Sequence, residues 1–155
     1  MARLTHTDAR GRARMVDVGG KAVSRRRARA EGRIRLAPQT LALVRKNQMQ
    51  KGDVLTAAQL AGIQAAKRAA ELIPLCHPLT LDVVEVGLRT EKGGIRAVAE
   101  VRCTGRTGAE MEALTAVAAA LLTVWDMCKA VDKQMSIEGL RLLEKEKRPL
   151  GGEGG

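Results

Sequence analysis

Aromatic side chains are almost missing from this chain: it has one Trp and neither Tyr nor Phe among 155 residues. Proteins that hold single-stranded nucleic acid usually stack its bases on aromatic rings, a device this sequence can hardly supply. No apolar run reads as long enough to cross a membrane. The opening Met1-Ala2-Arg3-Leu4-Thr5-His6 lacks the hydrophobic stretch of a signal peptide. The cysteines are odd in number and far apart, which offers no disulfide framework and fits reduced thiols in a cytoplasmic setting. Histidine is nearly as scarce as aromatics, with only His6 and His77. Neither they nor Cys76, Cys103 and Cys128 fall at metal-ligand spacing, so no metal site is expected.

What remains is an ordinary globular balance, 45% hydrophobic and 28% charged. The length suits a single domain over 1–155 whose core is built from Leu, Val, Ile, Ala and Met. A net charge of +10 and a pI near 10.3 favour an anionic partner: nucleic acid, an anionic membrane surface or a phosphorylated small molecule.

The segment Lys21 to Leu36 alternates like a strand. One parity holds Arg25, Arg27, Arg29, Glu31, Arg33 and Arg35, a solvated face. The other holds Ser24, Arg26, Ala28, Ala30, Ile34 and Leu36, a core face, so Arg26 stands on the buried parity. A short helix is expected over Pro38 to Lys46, with Pro38 in its first turn. A long one runs from Asp53 or Thr56 to Leu72, where Pro74 stops it; Asp53 is a possible N-cap and Thr56 to Gln59 a possible capping box. Leu79 to Thr90 and Ile95 to Thr104 read as a hairpin around Lys92-Gly93-Gly94. Thr107 to Glu110 reads as a second capping box opening a helix through Cys128. Met135 to Leu143 is the last strand. Residues 1–13 and 145–155 are expected to be flexible. Strand, helix, strand, strand, helix, strand is the order of a ferredoxin-like α+β fold, an antiparallel sheet with helices on one face.

Several residues carry possible chemistry. Cys76-His77 sits between Pro74 and Pro78, and the bland reading is a helix-ending loop with a partly buried thiol. Lys51-Gly52 before a helix N-terminus makes either a phosphate-binding corner or a plain loop lysine. Glu110 and Glu112 in a first helical turn are explained by the helix dipole alone. Asp126 and Lys129, three apart, are either a surface ion pair or an acid/base group tuned by an ammonium. Arg26 is a candidate anion clamp, since a guanidinium fork matches phosphate oxygens.

Taken in order, the segments Leu4-Thr5-His6, Met15-Val16-Asp17-Val18, Ala28-Arg29-Ala30-Glu31, Lys51-Gly52-Asp53-Val54, Ala61 to Arg68, Leu72 to Leu79, Gly108 to Thr115 and Asp126-Met127-Cys128-Lys129-Ala130 resemble one family closely. It is the molybdenum cofactor biosynthesis protein C family, the cyclic pyranopterin monophosphate synthases. The resemblance spans about Leu4 to Leu143. It implies a ferredoxin-like fold and a homohexamer, a trimer of dimers with the active site between subunits. The reaction it implies is a lyase step: 3′,8-cyclo-7,8-dihydro-GTP becomes cyclic pyranopterin monophosphate and diphosphate. No organic cofactor is implied, and Mg²⁺ on the substrate phosphates is left open. Carried over by resemblance, Asp126 is the catalytic aspartate, with Lys51, Lys129 and His77 in the chemistry. Leu75, Cys76, His77, Met111 and Glu112 match substrate-contacting segments. Asp17, Lys21, Arg26 and Glu110 match further pocket positions.

The rival reading is a basic ferredoxin-like RNA-binding module. Such domains set aromatics on their central strands. Lys21 to Leu36 and Leu79 to Thr104 contain none.

Overall fold

A strand whose side chains alternate between two faces can bury one of them, and the strand after the N-terminal arm does so. The computed structural model describes residues 6–151, so the expectations for Leu4-Thr5 and the last glycines lie outside the described residues. In β1 (Ser24–Arg35), Ser24, Ala28, Ala30 and Ile34 are buried on the expected parity. After α1 (Pro38–Arg45) come α2 (Val54–Lys67) and the short α3 (Ala69–Leu72). Then β2 (Leu81–Glu91) and β3 (Gly94–Gly105) form a hairpin, followed by α4 (Glu110–Cys128) and β4 (Ser136–Pro149). The sheet order is β2-β3-β1-β4, with every pair antiparallel. This is the expected ferredoxin-like α+β arrangement.

Two helices cover one face. Gly62 of α2 stands where a Cβ would lie 2.9 Å from the Ala116 carbonyl of α4 and 3.0 Å from Val86 of β2. That glycine lets helix, helix and sheet approach without a side chain between them. The core therefore closes without aromatics, around Ile34, Ile95, Val101, Val117, Leu121 and Val124. Each fully buried aliphatic of this size contributes about 1.5–3 kcal/mol.

The opposite face of the sheet is a lattice of ion pairs. Arg27 meets Glu100 at 2.9 Å and Glu144 at 2.8 Å. Glu31, expected on a solvated parity, is instead buried beneath Arg96 and Arg141. Those guanidiniums, Arg96 first, hold its carboxyl below the usual range.

Several local expectations change. The long second helix is broken at Arg68 into α2 and α3. Its cap is Asp53, whose carboxylate accepts from the Thr56 amide at 3.1 Å and the Thr56 hydroxyl at 2.6 Å; Thr56 opens no capping box. The second expected box is also absent, since the N-cap of α4 is Ala109 with no side-chain cap. The last strand continues past Leu143 to Pro149, so Lys145 to Pro149, read as part of a flexible tail, pair with Ser24 to Ala28. Across this pairing Glu146 faces Arg27, whereas Lys147 and Arg148 stand opposite Arg26 and Arg25, so the backbone ladder rather than charge pairing carries the strand to its end. Residues 7 and 13 of the arm are bridged, with Asp8 accepting from the Arg10 and Arg12 amides. Contrary to the sequence reading, α4 is long and apolar enough to cross a membrane by length and composition. Its Ala113, Ala116, Val117, Ala120, Leu121 and Val124 are buried in the core.

Candidate active site

The site residues gather at the two ends of α4. At its N-terminal end, Pro74 stops the helical run and the chain turns, with the Cys76 amide donating to the Ile73 carbonyl at 3.1 Å. This turn presents Leu75, Cys76 and His77 to a cavity of about 650 Å³. Lys21, Arg26, Glu110 and Met111 line it as well, together with Val16, Val18 and Gly108. A volume of this order suits a nucleotide-sized ligand.

His77 Nε2 lies 2.6 Å from the Val16 carbonyl, so that nitrogen carries the proton and donates to it. The loop between the prolines is thereby tied to the arm. Asp17 spends its Oδ1 on the Gly19 amide at 2.8 Å, an Asx turn beside the cavity rather than in its wall.

Three cations or potential cations escaped sequence reasoning as site residues. His6, Arg106 and Lys145 all line the cavity. Arg106 Nε donates to the Lys21 carbonyl at 3.1 Å, while the Arg106 carbonyl accepts from Arg26 Nη2 at 3.2 Å. This relay joins the arm, β1 and the loop before α4. Lys145 pairs with Glu110 at 3.1 Å, reaching the site because β4 is longer than expected. The only sequence signal for Arg106 was its place within a glycine-bounded loop, Gly105 to Gly108. Lys145 had none, because its placement depends on the register of β4 against β1.

Glu112 is 3% exposed and is not among the residues that line the cavity. Its Oε1 receives the Cys76 thiol at 3.6 Å. Burial raises the carboxyl's pKa. The Cys76 thiol is pushed up to about 11 by burial first and by Glu112 second, so it is no ready nucleophile.

The other end of α4 holds a compact acid–base cluster. Asp126 Oδ1 accepts from Lys129 Nζ at 2.6 Å, and Oδ2 accepts from Lys51 Nζ at 2.8 Å. The two ammoniums, Lys129 first, hold Asp126 down to about 2. Lys51 does not form the phosphate corner that its place before α2 suggested. Gly52, at φ +99°, turns the chain, Asp53 occupies the helix N-terminus, and Lys51 reaches across to α4 instead.

Glu110 and Asp126 are separated along α4 by roughly 24 Å, from its rise of about 1.5 Å per residue. Within one chain the structure thus joins Lys21, Arg26, Leu75, Cys76, His77, Glu110 and Met111, and separately joins Lys51, Asp126 and Lys129. It does not bring the two groups together. Among the described residues no cluster of His, Cys, Asp and Glu has the form of a metal site.

Comparison with known proteins agrees with these segments. The MoaC family matches residues 15–148. A cyclic pyranopterin monophosphate synthase of Methylobacterium sp. (strain 4-46) is 60% identical over 147 residues, covering 94% of this chain and 92% of that protein. One from Chloroflexus aggregans is 58% identical over 92% of this chain and 87% of its own length. One from Thermomicrobium roseum is 58% identical over 94% and 89%.

Proposed function

Because this chain belongs to the MoaC family, we propose that it works as a cyclic pyranopterin monophosphate synthase. It is a lyase of molybdenum cofactor biosynthesis, acting on a small nucleotide-derived substrate. The substrate is 3′,8-cyclo-7,8-dihydro-GTP, and the products are cyclic pyranopterin monophosphate and diphosphate.

The observation that carries this reading is the cavity, where the Leu75 to His77 loop and Met111 face Lys21, Arg26, Arg106 and Lys145. An apolar and polar wall for a ring system stands opposite cations for a triphosphate. Cyclisation needs a sugar hydroxyl to attack the α-phosphorus. A new P–O bond forms, the bond to diphosphate breaks, and the hydroxyl proton leaves to a base. Guanidinium and ammonium groups stabilise the charge that builds on the departing diphosphate. Any Mg²⁺ would ride on those phosphates.

Ring opening and pyranopterin closure need further proton transfers, assigned here to Asp126, Lys129 and His77. In the isolated chain Asp126 is a weak base, because both its oxygens hold ammoniums. Substrate phosphates that draw Lys51 or Lys129 away would return basicity to Asp126 at the moment of binding.

The Asp126 cluster must then meet a cavity other than that of its own chain. We assign the complete site to a homohexamer in which one subunit's Lys51, Asp126 and Lys129 face the partner's cavity. Beside that cluster Leu122 and Trp125 stand exposed, an apolar surface suited to a second copy. A cytoplasmic location accords with the free thiols. The RNA-binding alternative finds no aromatic platform on the open sheet face, where Arg27, Arg29 and Arg96 are paired with Glu100, Glu144 and Glu31.

The deciding assay supplies the purified protein with the cyclised GTP product and measures diphosphate and cyclic pyranopterin. Folded protein without turnover would sink this reading.

A further inference from the structure

Asp132, in the turn between α4 and β4, is 5% exposed and does not line the cavity. Its Oδ2 accepts from the Ala37 amide at 2.8 Å and its Oδ1 from the Gln134 amide at 3.1 Å. Burial opposes its ionisation, but those two amides and the Thr40 hydroxyl together outweigh it and hold the carboxyl below its ordinary value. None of these partners is a cation. Burying a carboxylate among neutral donors is costly, and this one joins segments far apart in the chain.

Those segments carry the acid–base cluster. Ala37 is the N-cap of α1, a helix of eight residues with no side-chain cap of its own and few contacts with the other elements. An outside carboxylate at that end satisfies an orphan amide and suits the helix dipole. From α1 the chain reaches Lys51 through a closely bonded run, with the Gln48 amide on the Leu43 carbonyl at 2.9 Å and the Gly52 amide on the Met49 carbonyl at 3.0 Å. On the other side, the Asp132 amide donates to the Cys128 carbonyl at 3.0 Å, in the last turn of α4, which also carries Asp126. Lys51 Nζ on Asp126 Oδ2 closes the ring.

We propose that Asp132 is a positioning residue for this cluster: its carboxylate fastens the start of α1 to the end of α4 and so sets Lys51 against Asp126. That Asp126 is the catalytic aspartate rests on the synthase reading above; the placing of Lys51 does not. Asparagine cannot take over the task, because its side chain offers one acceptor oxygen where two amides need two. Lys129 follows α4 itself and keeps its pairing when α1 loosens.

Two measurements test this. In the wild-type protein the Ala37 amide should be protected from hydrogen exchange as strongly as the paired amides of β1, and free exchange overturns the contact itself. Carboxyl NMR of folded Asp132→Asn should find Asp126 titrating about 1 pH unit higher, the low end of what one opposite charge does to a carboxylate. Loss of the Asp132 charge acting through space would move Asp126 the other way, so the sign separates positioning from simple electrostatics. In a Lys51→Ala background the same substitution should no longer raise the Asp126 midpoint, since no ammonium is left to misplace. A midpoint that stays or falls in Asp132→Asn, or that still rises without Lys51, overturns the proposal. Absence of turnover in the wild-type protein would instead strike the synthase reading, with the Asp126 titration still deciding what Asp132 holds.

Discussion

Asp126 shows how far a residue's neighbours set its chemistry. On sequence it was half of a possible surface pair with Lys129, three positions away on one helical face. The structure adds Lys51, seventy-five positions away, on the other oxygen. Both ammoniums favour the carboxylate and hold it to about 2. The sign follows: the group stays ionised through the neutral range and protonates only as pH falls toward that value. Carboxyl NMR should find Asp126 titrating near there, and Lys129→Ala should move it up toward the ordinary carboxylate value of about 3.9. An unmoved titration would remove Lys129 as the main cause. Asp126→Asn should lower kcat by at least about a thousandfold with the oligomer intact, a loss typical of removing an acid/base group together with its electrostatic role. Arg106 carries a separate expectation. Arg106→Ala should raise KM by about tenfold through loss of a phosphate cation and of the Lys21 tie. Isothermal titration with diphosphate would check the binding component, and unaltered affinity would exclude Arg106 from the anion site.

At the scale of elements, the decisive contacts lie where helix meets sheet and strand meets strand. Gly62 is needed for its small size, since its backbone does not occupy a glycine-only region. Gly62→Val should destabilise the fold by about 1–3 kcal/mol through forced separation of α2 and α4, measured by chemical unfolding. On the other face, Glu31 ties β1 to both β3 and β4 through Arg96 and Arg141. Its lowered pKa contributes stability above the unfolded carboxyl value, and that stability is lost as pH falls through the folded one. The thermal stability of the native chain should therefore fall more steeply than that of Glu31→Gln as pH drops below the unfolded carboxyl value of about 4.3. Parallel curves would show that the buried pair is not coupled to acid stability. The strand parity of β1 was readable from alternation, but Glu31's burial was not. Alternation assigns a side chain to a face and says nothing of whether long guanidinium side chains will roof that face over.

At the scale of the whole molecule, the proposed shared site draws on two groups that one chain keeps at opposite ends of α4. In a shared site, Asp126→Asn and His77→Ala damage different subunits' contributions. Each variant alone should be inactive. Co-assembled at equal amounts, random mixing should leave about one quarter of sites with both contributions intact. Recovery of activity in mixed hexamers is the expected result, and complete inactivity would place the whole site within a single chain. Light scattering that finds a stable, active monomer would contradict the same assignment.

Sequence alone determined the kinds of element and their order, because strand and helix periodicities follow from backbone geometry that each segment carries within itself. It also determined where the helical run ends, through Pro74, and narrowed the start of α2 to Asp53 or Thr56, between which the structure chose Asp53. Together with the ordered family segments it named most of the residues that line the cavity. The tertiary structure decided which of those residues meet. Lys51 reaches Asp126, Cys76 reaches Glu112, and Lys145 reaches Glu110 only after helices pack on the sheet and β4 takes its register. Packing also placed Arg106 in the cavity and kept Asp126 out of it. Such pairings join segments distant in the chain, and their distances are set by how layers fit together rather than by any local pattern.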